Sequence, residues 1–135
     1  MNPRTRQNLI TAMNCDALDA AKYSRFAVRA RIDENWHLAR VFQDSADIDR
    51  ADHFPSEAEV AGVISTSPDN LRSAAGTERT EAAMLRDFAE QATADGDLEA
   101  ASVFRKVSRD KAERLARFEA VLEELGVHGD VRTLT

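Results

Sequence analysis

The sequence predicts an all-α protein, a four-helix bundle built from two repeated helical hairpins with a long crossover between them. Three observations carry this reading. Of 135 residues, 43% are apolar and 31% charged, with only five Gly and three Pro, a balance suited to helices packed around a core. Apolar residues then recur at three- and four-residue steps, as in Leu9, Ala12, Met13, Ala20, Tyr23, Ala27 and Ala30, the period of a helix with one buried face. Finally, an offset of 62 residues lays the second half on the first without a gap. Asn70-Leu71 falls on Asn8-Leu9, Ala82 on Ala20, Phe88-Ala89 on Phe26-Ala27, Asp95 on Asp33, Ala101 on Ala39 and Val103-Phe104 on Val41-Phe42. Self-similarity on that scale means two copies of one unit.

Each element has its own signals. Asn2-Pro3 suits a cap followed by proline in the first turn, and the first helix runs to about Ile32. Asp33 can cap a second helix that buries Trp36, Leu38, Val41, Phe42 and Ser45 and reaches about His53. Residues 54–69 contain Pro55, Gly62 and Ser65-Thr66-Ser67-Pro68 and read as the one long connection, with room for a turn or two over 56–63. Ser67-Pro68 opens the third helix through Leu71, Ala74, Ala75, Ala82, Leu85, Phe88 and Ala92. Asp95-Gly96-Asp97 ends it and starts the fourth, which runs to Gly126. Residues 1–126 therefore form one bundle, with 127–135 as a frayed tail.

Composition also restricts the partners. A net charge of -6 and a pI near 5.1 disfavour nucleic acid and anionic membranes, both of which reward a basic face. The single Cys15 allows no internal disulfide, and no CxxC pair is present for a zinc ribbon or rubredoxin-type iron. Met1 to Asn8 is polar, with no long apolar run behind it. A cytoplasmic protein is expected.

Four helical stripes each carry two ionisable residues at i, i+3: Asp16 and Asp19, Asp49 and Asp52, Glu78 and Glu81, Lys111 and Arg114. Such residues share a helix face, so all four pairs can meet in a bundle core. Burying charge is costly unless it is paired or bound to a metal. A pseudo-twofold relation between the halves sets Asp49 and Asp52 against Lys111 and Arg114 as buried ion pairs. Asp16, Asp19, Glu78 and Glu81 are then left to hold a cation or to keep protons. Asp19 lies nearest the stripe edge, because Ala20 and Tyr23 define the stripe without it.

Over about residues 8–122 the chain resembles the rubrerythrin branch of the ferritin-like superfamily. The resemblance rests on Asn8-Leu9 ahead of Asp16, on Tyr23-Ser24-Arg25-Phe26-Ala27, on Phe42 and Ala46 ahead of Asp49, on Asn70-Leu71 ahead of Glu78 and Glu81, and on Phe104 ahead of Lys111. It implies a ferritin-like bundle, a homodimer and glutamates at the positions of Asp16, Asp49, Glu78, Glu81 and Lys111. It also implies histidines at Asp52 and Arg114, together forming a di-iron centre for peroxide or oxygen chemistry. The chain departs from this pattern. Asp49-Arg50-Ala51-Asp52 stands where Glu-x-x-His belongs, and Lys111 and Arg114 are cations that repel a metal. His53 comes one residue late and reads as a capping or surface histidine. A standard di-iron site is therefore not expected, nor is a rubredoxin-like extension.

Three functions follow as expectations. The first is a metal-free ferritin-like binding or assembly protein, held by carboxylate to Lys/Arg pairs and open to a protein partner. The second is an oxidoreductase with a single iron or manganese on Asp16, Asp19, Glu78 and Glu81, with Tyr23 beside it as a redox or hydrogen-bonding residue. The third uses Lys111 as an acid, base or Schiff-base amine. Cys15 reads as a packing residue, and Met13, Phe26, Phe42, Phe88 and Phe104 as core.

Overall fold

The computed structural model describes residues 1–128, all in helices or short connections. The elements are α1 (Pro3–Ile32), α2 (Trp36–Ile48), a π-helical turn (Asp49–His53), α3 (Phe54–Ala61), α4 (Ser67–Asp95) and α5 (Leu98–His128). The all-α class stands, and four long helical runs in two hairpins agree with a four-helix-bundle architecture. The chain divides into two compact units, residues 1–64 and 65 onward. Residues 129–135, most of the expected tail, lie outside the described residues; α5 itself continues two residues past Gly126.

In the first unit, α1 starts where Asn2 accepts a hydrogen bond from the Arg4 amide at 2.8 Å, with Pro3 in the first turn. Met13, Ala20, Ala27 and Ala30 form its buried line, and α2 answers with Ala39 and Ala46. Small side chains let two helix backbones approach closely, and the larger residues flank that line. This corrects the expected burial of α2: Trp36, Leu38 and Val41 are 63%, 39% and 46% exposed. The α2 cap is also corrected, from Asp33 to Asn35, whose side chain accepts from the Leu38 amide at 3.3 Å. Tyr23, Phe26 and Phe42 form an aromatic cluster with ring centroids 5.4–6.1 Å apart.

The expected long connection is mostly helix. The run from Trp36 passes through the π-turn into α3, and only residues 62–66 separate α3 from α4. Arg6 Nε donates to the Ala61 carbonyl at 2.9 Å, tying the last turn of α3 to the start of α1.

The second unit is the α4–α5 hairpin. Thr66 caps α4 through the Asp69 amide at 3.3 Å, and Ala75, Ala89, Ala92 and Ala101 supply the buried line. Phe88 meets Phe104 edge-on at 5.7 Å, and Ser108 Oγ donates to the Ala82 carbonyl at 2.8 Å.

Both hairpins turn through the same device. The Asn35 amide reaches back to the Ala30 carbonyl and the Glu34 amide to Arg31, just as Asp97 reaches Ala92 and Gly96 reaches Thr93. This is the Schellman closure, which needs a left-handed residue after the helix. That residue is Gly96 at φ 84° in the second hairpin but Glu34 at φ 60° in the first. A side chain is disfavoured in this conformation. Glu34→Gly should therefore raise unfolding stability by about 1 kcal/mol, and Gly96→Ala, whose Cβ would meet nothing within 4 Å, should lower it by about 1 kcal/mol. Urea denaturation of the two variants checks both signs.

Candidate metal centre

The π-turn organises the candidate site. Pro55 has no amide proton, and in a regular α-helix its ring would press on the carbonyl four residues earlier, that of Ala51. The ladder widens instead, and the Phe54 amide bonds the Asp49 carbonyl five residues back. A turn of this kind holds about 4.4 residues rather than 3.6. Four residues share a face in either kind of turn, so His53 stands with Asp49, while the wider turn carries Asp52 further off that face than three residues would in an α-helix.

Asp49 is buried, at 9% exposure, and His53 Nδ1 lies 2.9 Å from its Oδ1. Asp16 on α1 faces this pair. One ligand atom each from Asp16, Asp49 and His53 falls within 4.8 Å of the others, the one such grouping among the described residues. A further turn along on α3 is Glu57, whose carboxyl responds to Asp16. Glu57 Oε1 is shielded from solvent and has no hydrogen-bond partner, alone in this among the described residues. Its contact with Asp16, then burial, then the Asp16 charge raise the Glu57 pKa above its usual 4.5; His53 opposes the shift and Asp49 adds to it. Beside the group lies an open, mainly apolar hollow of about 340 Å³, lined by Ala17, Ala20, Ala21, Arg50 and Phe54.

The second unit solves the equivalent problem with opposite charge. Glu78, at 7% exposure, occupies the place of Asp16, and Lys111 that of Asp49. Lys111 Nζ is 2.7 Å from Glu81 and 3.5 Å from Glu78, and Arg114 Nη1 is 3.1 Å from Glu78. Carboxylate to Lys/Arg pairing is thus present, but its acids are Glu78 and Glu81 rather than Asp49 and Asp52. The reason is local: α4 and α5 are antiparallel neighbours, so each cation meets the acid across its own hairpin. Asp52 is exposed and accepts only from Ser56 Oγ, at 3.3 Å. Asp19 is half-buried and stands apart from the metal-competent group.

The same pairing bears on the other named residues. Its hydrogen bond to Glu81 holds the Lys111 ammonium above the usual 10.5, with burial opposing and the Glu81 and Glu78 charges adding. Lys111 is therefore a fixed cation, opposed to service as a free amine. Tyr23 packs with Phe26 and Phe42 two helical turns beyond Asp16, about 10 Å along the axis. Cys15 is exposed rather than a packing residue. His53 and Glu57 are the residues that the sequence pattern missed. Their signal was a row at i, i+4, i+8 from Asp49, obscured by testing only the i, i+3 spacing.

Two measurements test this division. Lys111→Glu would crowd a third carboxylate against Glu78 and Glu81, leaving Arg114 alone to offset them. It should destabilise the chain by roughly 3–5 kcal/mol in urea unfolding; wild-type stability would refute the pairing. In the metal-free chain, a raised Glu57 pKa means that stability falls as the pH rises from 4.5 through the folded value. Glu57→Gln should therefore raise the urea midpoint at pH 7, and the gain should vanish below pH 4.5, where folded and unfolded states both carry the proton.

The sequence is 31% identical over 132 residues to a rubrerythrin from Porphyromonas gingivalis, an alignment covering 88% of this chain and 66% of that protein. The chain thus spans just under two thirds of the relative's length. No family model matches it. No helix among the described residues is long and apolar enough to cross a membrane. A likeness that runs through most of the chain, joined to an all-helical hairpin architecture, supports a distant rubrerythrin-like, ferritin-like relationship.

Proposed function

We propose that the chain is a ferritin-like oxidoreductase acting on peroxide or oxygen, with one iron or manganese ion held in the first hairpin in place of a di-iron centre. The observation that carries this reading is the convergence of Asp16, Asp49 and His53 within 4.8 Å. Two carboxylates and an imidazole form a donor set suited to iron(II) or manganese(II). The acids supply charge neutralisation, and His53 supplies the nitrogen donor that the i, i+3 motif lacks. Asp49 Oδ1 also lies 2.9 Å from His53 Nδ1, a contact that steadies the imidazole beside the carboxylate.

The second hairpin supports the singular stoichiometry. With Lys111 and Arg114 engaged by Glu78 and Glu81, two fixed positive charges stand where further ligands would be needed. Iron held by the first hairpin would supply the one-electron chemistry that peroxide or oxygen reduction requires. The chain's own part is to bind and orient the ion, and the hollow formed by Ala17, Ala20, Ala21, Arg50 and Phe54 offers room for a small molecule beside it.

Metal content by inductively coupled plasma mass spectrometry, after loading with iron(II) or manganese(II) and removal of loose ions, tests the reading. About one ion per chain is expected. It should be lost in His53→Ala and retained in Lys111→Met, with peroxide consumption following the same order. A content near zero would overturn the oxidoreductase and leave the metal-free assembly protein.

A further inference from the structure

The hollow beside the donor group is bounded by the chain neighbour of each donor. Ala17 follows Asp16, Arg50 follows Asp49 and Phe54 follows His53, and all three line it together with Ala20 and Ala21. Three alanines and a phenyl ring make the lining mainly apolar. Arg50 does not change that, because its guanidinium is engaged by Asp47 at 2.6 Å, which leaves its methylene stem to the hollow.

The second hairpin shows how such a place is otherwise filled. At the position of Ala17 it holds Arg79, which donates from Nη2 to Glu119 at 2.7 Å, and at the position of Phe54 it holds Ala116. A long side chain thus crosses from α4 to α5, with a small one beside it. In the first hairpin the crossing side chain is reduced to a methyl group, and a ring stands on the facing element. That exchange leaves a space of about 340 Å³.

Size and chemistry select what the space can hold. Hydrogen peroxide and dioxygen are each no larger than about two waters, roughly 60 Å³, and would leave most of it unused. A space of 340 Å³ is in the range of small-molecule sites, and its alanine and phenylalanine walls suit a compact hydrocarbon group. We propose that the hollow holds the carbon group of an organic hydroperoxide, whose peroxide end then lies toward Asp16, Asp49 and His53. The proposal rests on the oxidoreductase reading above and narrows its substrate class. Reduction of such a molecule breaks its O–O bond and takes up two electrons and two protons, giving the matching alcohol and water. The electrons come from an external one-electron donor, for which ascorbate is the probe.

Binding is tested without turnover, using the full chain and cumyl alcohol, the product of cumene hydroperoxide. Proton relaxation of the alcohol is measured by nuclear magnetic resonance with the metal-free chain and again with manganese(II), whose unpaired electrons speed the relaxation of protons held near it. Wild type should bind the alcohol in both states, with a large extra relaxation on manganese loading that His53→Ala lacks. Ala21→Leu fills the hollow from a position that is not a donor. It should weaken alcohol binding about tenfold or more, while manganese(II) uptake, followed by electron paramagnetic resonance, continues. In the iron-loaded chain with ascorbate, its KM for cumene hydroperoxide should rise by a similar factor. Ala83→Leu, the equivalent change in the second hairpin, should alter none of these, and Ala17→Met is a second filling variant if Ala21→Leu fails to fold. Undiminished alcohol binding in a folded, filled variant would overturn the proposal, as would alcohol binding with no extra relaxation from a bound manganese ion. If the chain takes up no manganese(II), the oxidoreductase reading fails and the hydroperoxide assignment falls with it. If it takes up the ion but does not bind the alcohol, only the assignment of the hollow is refuted.

Discussion

Two carboxylates held against one another, Asp16 on α1 and Asp49 at the head of the π-turn, are the constraint on which the first hairpin's chemistry depends. Like charges in a shielded position must be offset by a proton, a basic side chain or a metal ion. The same juxtaposition in the second hairpin is Glu78 against Lys111 and is offset within the protein. One substitution of sign between equivalent positions therefore divides the chain into a half that is electrostatically closed and a half that is not. In the first hairpin His53 is the basic side chain in the group, and the Glu57 pKa is raised chiefly through Asp16.

The alanine contact lines make such confrontations possible. With Ala20, Ala27 and Ala30 facing Ala39 and Ala46, no bulky side chain separates α1 from α2, so a residue as short as aspartate can present its carboxylate to the neighbouring helix. The second hairpin repeats the device with Ala75, Ala89, Ala92 and Ala101. Close packing of the backbones is also why bulk accumulates at the flanks, where Phe26 meets Phe42 and Phe88 meets Phe104. Packing and site chemistry are thus linked through the same small residues.

Much of the fold was legible in the sequence because helical periodicity, caps and turn residues are local signals. Asn2-Pro3, Ser67-Pro68 and Asp95-Gly96-Asp97 lie where the helices begin or end. The site was less legible, because ligand geometry depends on helix phase. The widening beside Pro55 moves Asp52 further off the face, whereas His53 at i+4 shares it as it would in an α-helix, so a search at i, i+3 alone selects the wrong partner for Asp49. The Lys111 and Arg114 pairings were misassigned for a related reason. Spacing put four charge pairs at one depth, but only the hairpin geometry decided which acid each cation meets, and it chose the adjacent helix.

The π-turn and the orphaned Glu57 oxygen are separate departures from a satisfied, regular helix. One exchanges α-helical bonding for a wider and rarer turn; the other leaves a shielded acceptor unpaired. Neither occurs along α5, where the described residues run as an uninterrupted α-helix from Leu98 to His128 and the counterpart acid is bonded to Arg79. Proline alone explains the turn, but it does not explain why Asp49, His53 and Glu57 occupy its face, or why Asp16 stands opposite them. Irregular helical turns are frequent at functional sites, and here one lies where Asp49 and His53 face Asp16. A cation among Asp16, Asp49 and His53 would remove the carboxylate repulsion, which a neutral ligand would leave in place.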